Sequence, residues 1–256
     1  MNSSPKTGVK YSPIILTVVM PAFNEEAAIE SVVLEHVEIL KKLGNELADW
    51  EILCLNDGSS DKTAEILGRL ERNEPRIRTV HHAHNMGIPA SLRDLYAAAR
   101  GTHIYVTGSD GQWPAQNLVK LLTEMRKSGA DIVVGVRRNR SEVYGMKRLL
   151  VSHLFNKLPE ILFGAKTGDA GSNKLARKEL LDTEVVSTSP FAEAERLLKA
   201  TWSGASIRYV EIDFQSRSGG TTTGASVRNI VSSLKDLLAC LNKYGFRPTR
   251  HTPHHP

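Results

Sequence analysis

Strand-length apolar runs alternate with amphipathic helical stretches through the first half of this chain, and that alternation constrains its fold more than any other feature. "IILTVVM" (14–20) is apolar throughout, as a strand covered on both faces must be. From Ala27 to Leu43 the period lengthens, and Ile29, Val32, Val33, Val37 and Leu40 form one helical stripe. "WEILCL" (50–55) is a second buried strand, and in the "NDGSSDKTAEIL" that follows Ser60 or Asp61 can cap the next helix. "IRTVHH" reads as a third strand, "HIYVT" as a fourth and "DIVVGV" (131–136) as a fifth, with helices over 88–100 and 115–127. Such order predicts an α/β fold, a mostly parallel sheet with helices on both faces.

Open sheets of that kind place ligands at the carboxyl ends of their strands. Here those ends read "PAFNEE", "NDGSSD", "GSDGQW" and "GVRRNR", acids first and arginines last. The second half changes character. "GMKRLLVSHLFNKLPEILFG" (145–164) is apolar and basic, and it fits a membrane-interface helix as well as a core or dimer helix. Further on come "TGDAGSNKLARKELL", a helix near 191–203, a strand in "SIRYVEIDFQ", a Gly/Thr loop "SRSGGTTTGA" and an amphipathic helix over 226–243.

With 41% hydrophobic and 24% charged residues in 256, the chain has the makeup of a soluble globular protein with a real core. The net charge of +5 favours an anionic partner, but nothing beyond that charge points to nucleic acid. Cys54 and Cys240 lack metal-ligand spacing and read as reduced thiols of a cytoplasmic protein. No leader is visible, and no apolar stretch approaches the ~20 residues of a membrane span. Residues 1–12 read as disordered and 244–256 as a flexible tail, leaving one domain over 13–243.

Taken in order, "VVMPAFNEE", "LNDGSSDKT", "HNMGIPASL", "SDGQWP" and "TGDAGSNKLARKELL" resemble the family-2 inverting glycosyltransferases, most of all the dolichyl- or polyprenyl-phosphate sugar synthases. The likeness covers about residues 14–235. It implies the GT-A fold, with a Rossmann-like half (13–136) that binds a nucleoside-diphosphate sugar and a second half (137–243) that binds the acceptor. The acceptor implied is a polyprenyl phosphate, met by a peripheral protein at the inner face of the membrane. A soluble small-molecule hydroxyl acceptor and a non-catalytic nucleotide-binding homologue are the rival readings, and a homodimer is compatible with all three.

The resemblance also implies roles. Pro21, Asn24, Glu25 and Asp57 would line the nucleotide pocket, with Asp57 accepting a hydrogen bond from the base. Asp110 and Gln112 would hold Mg²⁺ or Mn²⁺, hard ions that take oxygen ligands and bridge diphosphates. Asp169 would stand near the acceptor with Asp110 in the catalytic pair. Arg137, Arg148 and Ser152 would hold the lipid phosphate, the last two sharing one helix face by their spacing. Arg217 would cover the diphosphate. There are departures. The family's Asp-x-Asp-x-Gln is Gly108-Ser109-Asp110-Gly111-Gln112 here, Asn56 stands where an acid often precedes Asp57, and Asn173-Lys174 replaces Gly-Phe.

Overall fold

The computed structural model describes residues 13–138, 157–215 and 227–247. Strands β1 (Ile15–Ala22), β2 (Asp49–Asn56), β3 (Ile77–His81) and β4 (His103–Val106) alternate with helices α1 (Ile29–Leu43), α2 (Thr63–Asn73), α3 (Ile88–Ala98) and α4 (Gln116–Ser128). Strand β5 (Ile132–Arg137) follows, then β6 (Lys174–Arg177) and β7 (Ile207–Ile212). Among the described residues they form one seven-stranded sheet in the order β3-β2-β1-β4-β6-β5-β7.

Alternate residues of a strand face opposite sides, and β1 shows what that does. Leu16, Val18 and Met20 join one core with Ile29, Val33 and Leu40 of α1 and Leu118 and Leu121 of α4. Val19 faces the other core, with Leu92 and Leu95 of α3 and Leu197 and Leu198 of the helix Ala192–Trp202. The first-half strands are covered on both faces, as their unbroken apolar runs require.

Strand β6 departs from the sequence expectation. Its four residues, Lys174–Arg177, lie in a motif that gave no strand signal, yet they run antiparallel between β4 and β5. Neighbours supply the pairing that four residues cannot specify by pattern. The consequence is functional: Lys174 lies opposite Val106, so the segment before β6 emerges at the carboxyl end of β4.

Two boundaries also differ from expectation. The last helix runs Val227–Tyr244, and the chain stays attached beyond it. Arg247 donates its backbone N–H to the Leu162 carbonyl at 2.9 Å and sets its guanidinium 4.9 Å from the Trp202 ring centre. Of the 145–164 segment, residues 157–163 are helical, and Phe163 packs in the second core. Residues 145–156 of it, with Arg148 and Ser152, lie outside the described residues, as do Arg217 and the 1–12 terminus.

Candidate active site

Three adjacent parallel strands, β2, β1 and β4, end side by side, and their loops are bolted together. Asn24 adopts a left-handed backbone (φ 55°), a conformation Asn tolerates better than most residues. Its side-chain oxygen accepts the Ser60 N–H at 2.9 Å, while its own N–H donates to the Ser59 hydroxyl at 3.0 Å. Next to it, Glu25 donates its N–H to the Thr63 hydroxyl at 2.9 Å. Asp61 accepts the N–H groups of Thr63 (2.9 Å) and Glu26 (3.1 Å), so it fastens the start of α2 to the loop after β1. Burial acts against the Asp61 charge, but those hydrogen bonds outweigh it and hold the carboxyl below its usual range. Pro21 offers its carbonyl to the Ser109 hydroxyl at 2.8 Å, which ties β1 to the loop after β4.

Asp57 is nearly enclosed, at 3% exposure, and accepts three internal hydrogen bonds. Oδ1 takes the Met86 N–H (2.8 Å) and faces His82 Nδ1 (2.7 Å), and Oδ2 takes the Gly87 N–H (2.8 Å). His82 is held from its far side by Asp94, 3.1 Å from Nε2. A carboxylate has about four lone-pair sites; the "HNMG" loop takes two of them and His82 a third. Gly58 explains why that loop can come so close: a Cβ there would lie 2.6 Å from the His84 backbone carbon. Asn56 turns inward as well, accepting the Ser59 N–H at 3.1 Å and facing His81 Nδ1 at 3.2 Å.

Asp110 stands half-buried at the end of β4, with Oδ1 accepting the Gln112 N–H at 3.1 Å. Gln112 is pinned to the far side of the site. Its carbonyl takes the Gln215 N–H (2.9 Å), and its side-chain Nε2 donates to the Gln215 carbonyl (3.3 Å). No group of three or more His, Cys, Asp or Glu that could share an ion occurs among the described residues. The oxygen donors of Asp110 and Gln112 suit a hard divalent ion only where a diphosphate completes the shell.

At the end of β5, Arg137 makes a two-pronged ion pair with Asp169 through Nε and NH2. Both are largely buried, at 13% and 4% side-chain exposure. Asp169 reaches this place because its loop enters antiparallel β6. Gly168 has φ 55°, and a Cβ on it would lie 2.4 Å from the Tyr209 ring. The Arg137 guanidinium also lies over the rings of Trp113 (5.5 Å) and Phe214 (5.2 Å), themselves 4.7 Å apart.

The model for the family described as "Glycosyl transferase family 2" matches residues 17–184, more than half of the chain and nearly all of the site. The chain belongs to glycosyl transferase family 2. The family-2 chain is 32% identical, over 52% of its length and 43% of the other's, to a dolichyl-phosphate beta-glucosyltransferase of Trichomonas vaginalis. It is 25% identical, over 88% of its length and 67% of the other's, to an undecaprenyl-phosphate 4-deoxy-4-formamido-L-arabinose transferase of Pectobacterium atrosepticum. It spans about two fifths to two thirds of the length of the curated relatives it matches. Its fold resembles that of glucosyl-3-phosphoglycerate synthase from Mycobacterium tuberculosis, solved with Mn²⁺, UDP and glucosyl-3-phosphoglycerate. There the TM-score is 0.64 at 20% identity, over 92% of this chain and 82% of the other. The GT-A-like fold and membership of the glycosyl transferase family follow from these matches.

Several residues that shape this family-2 site were given no role by the sequence motifs. Trp113, Phe214 and Gln215 build its wall, yet Phe214 and Gln215 lie a hundred residues from the loop they meet. Asn117 donates to the Asp213 carbonyl (2.9 Å) and accepts the Asp213 N–H (3.2 Å), fixing the end of β7 to α4. The departures Asn173 and Lys174 are both buried. Asn173 donates to the Val106 carbonyl at 2.9 Å, and Lys174 meets Glu193 at 2.9 Å. Burial opposes the Glu193 charge, but Lys174 and Arg196 together outweigh it and hold the carboxyl below its usual range. A lysine in a four-residue segment with hydrophobic neighbours was the available signal for that ion pair.

Proposed function

We propose that this chain transfers a sugar, with inversion, from a nucleoside-diphosphate sugar to a polyprenyl phosphate at the cytoplasmic face of a membrane. The observation that carries the reading is the joining, at one end of the sheet, of two unlike walls. Pro21, Asn24, Glu25, Asp57 and Asp110 come from the ends of β1, β2 and β4, and Arg137 with Asp169 comes from the other half. The first wall suits a base, a ribose and a metal-bound diphosphate. The second suits an anion brought to the sugar's anomeric carbon.

In this reading Asp110 and Gln112 hold Mg²⁺ or Mn²⁺ together with the diphosphate. The ion, when bound, neutralises charge that develops on the leaving group. Arg137 brings a fixed positive charge to the acceptor phosphate, and Asp169, which holds its Nε and NH2, sets the plane of the guanidinium. A phosphate acceptor is already anionic near neutral pH, so Asp169 orients more than it deprotonates. Arg148, Ser152 and Arg217 lie outside the described residues; the family resemblance would give the first two to the acceptor phosphate and the last to the diphosphate. Relatives named for dolichyl- and undecaprenyl-phosphate transfer support the acceptor class.

A second reading, transfer to a soluble phosphorylated acceptor, is favoured by two observations. The fold neighbour was solved with a glucosylated phosphoglycerate, and no helix among the described residues is long and apolar enough to cross a membrane. One assay separates the readings. The chain is incubated with sugar-labelled UDP- and GDP-sugars, Mn²⁺ and either a short polyprenyl phosphate or 3-phosphoglycerate. Label entering the organic phase is expected. Label entering only the phosphoglycerate product would replace the first reading with the second, and no transfer to either would leave a nucleotide-binding homologue.

A further inference from the structure

The last helix, Val227–Tyr244, buries one face and offers another apolar face to solvent. Ser233, Leu237 and Cys240 turn into the fold, within 6% exposure. Val231, Leu234 and Leu238 lie three and four residues apart on a separate stripe and are 45%, 40% and 61% exposed. At 3.6 residues per turn that spacing makes one ridge. Single exposed leucines are ordinary, but an aligned set of three on one helix is not.

Charge on the same helix is sorted. Arg228, Lys235 and Lys243 are exposed. The helix's one acid, Asp236, is half-buried and occupied, accepting the N–H groups of Thr188 (2.8 Å) and Ser189 (2.7 Å). The exposed charges of the helix are therefore all positive. Two further apolar side chains, Ile161 and Phe246, are each 61% exposed. Their segments are joined by the Arg247 N–H bond to Leu162, which brings the end of the last helix against the helical run 157–163. That junction carries two more exposed basic residues, Arg247 and Lys157, the latter paired with the half-buried Glu160 at 3.1 Å.

We propose that the outer face of Val227–Tyr244, with Ile161 and Phe246, is a docking surface for an anionic lipid bilayer. An apolar ridge whose own exposed charges are all positive has the pattern of a helix lying in the interface plane, with leucines in the acyl boundary and lysines among the headgroups. An acidic protein surface would match the charges but would leave the leucines wet. A second copy of the chain would bring like charges together. This inference deepens the lipid-phosphate reading by naming what the enzyme rests on. It can also fail separately, because a soluble lipid analogue can be glycosylated with no bilayer present.

The test is co-sedimentation of the full chain with vesicles of phosphatidylcholine alone and with about 30% phosphatidylglycerol. The parent is expected to bind the anionic vesicles and not the neutral ones. The Leu234→Glu/Leu238→Glu double variant should bind about tenfold more weakly, and Lys235→Glu should reduce binding and its salt sensitivity. Leu238→Ser, a milder change, checks that any loss is local, and the melting temperature of each variant should match the parent's. Equal sedimentation of parent and double variant would overturn the proposal. So would a parent that ignores anionic vesicles, or a double variant that turns a dimer into a monomer while still binding them. Transfer to a detergent-dispersed polyprenyl phosphate should be unchanged in the double variant.

Discussion

Arg137, the last residue of β5, grips Asp169 with two parallel N–H···O contacts across a loop that leads into an antiparallel strand. The pair is the point where the two halves of the sheet meet at the end where the strand-end loops gather. Its geometry depends on β6, because only a strand entering from that end delivers the residues before it to the carboxyl end of β5.

Breaking this pair should be costly. Arg137→Ala takes the guanidinium away from a carboxylate that is 4% exposed, and removing one member of a buried pair typically costs about 3–5 kcal/mol. Arg137→Lys retains the charge but not the fork, so it should recover only part of the loss. Urea unfolding of both variants measures this. An Arg137→Ala midpoint equal to the parent's would show that solvent replaces the guanidinium freely.

Asp110→Ala should abolish metal-dependent binding of nucleoside diphosphate and barely move the melting temperature. Its carboxylate is half-buried, with Oδ1 accepting the Gln112 N–H in the loop after β4. Titration calorimetry of UDP and GDP with and without Mn²⁺ checks it. Binding with unchanged metal dependence would remove Asp110 from the metal.

Restoring the absent acid should strengthen the metal site. Gly108 lies outside the left-handed region, so its backbone admits an aspartate. A Cβ there would lie 3.3 Å from Asp110 Oδ1 and 3.1 Å from Trp113 Cδ1, which requires Trp113 to yield slightly. Gly108→Asp is therefore expected to melt lower without metal, from two adjacent like charges, and to show a larger upward shift with Mn²⁺ and nucleotide than the parent. A folded variant with the parent's metal response would argue that Asp110 serves only the turn.

Acid should destabilise the fold through His36 before most carboxylates titrate. Its side chain is fully enclosed between α1 and Tyr105, with ring centres 6.1 Å apart. Burial pushes the imidazole down from 6.5 to about 4, outweighing its bond to the Val32 carbonyl, which acts the other way. Between those values the unfolded chain holds a proton that the folded one refuses. The contribution is whole above pH 6.5 and is lost as pH falls towards 4, a change of roughly 3 kcal/mol. Urea midpoints between neutral pH and mild acid should fall in the parent and stay nearly flat in His36→Gln. Equal slopes would assign the effect to other groups.

Cys54 and Cys240 should resist thiol reagents in the native protein. Burial is the main cause that pushes each thiol up to about 12, and thiolate is the reacting form. Ellman titration should find both only after denaturation. Rapid native labelling of Cys240 would show that the last helix opens readily.

Sequence periodicity determined the elements whose signal is local. The stripe of Ile29, Val33, Val37 and Leu40 and the unbroken run of β1 each report their own burial, because side chains two, three or four residues apart share a face. Turn chemistry at strand ends is equally local, so Asn24, Asp57 and Asp110 were visible as a set before any strand order was known. What a set of loops touches is a different quantity. Arg137 meets Asp169 from 32 residues away, Asn117 meets Asp213 from 96, and Gln112 meets Gln215 from 103. Those separations are fixed by the order β4-β6-β5-β7, and four residues of β6 carry too little pattern to announce where they pair. The tertiary structure decided that Asp57 spends three of its contacts on the Met86–Gly87 loop and His82, since a carboxylate's partners depend on which backbone N–H groups the sheet brings within reach. The chain's sequence set where its polar ends lie, and long-range strand pairing set which of them face one another.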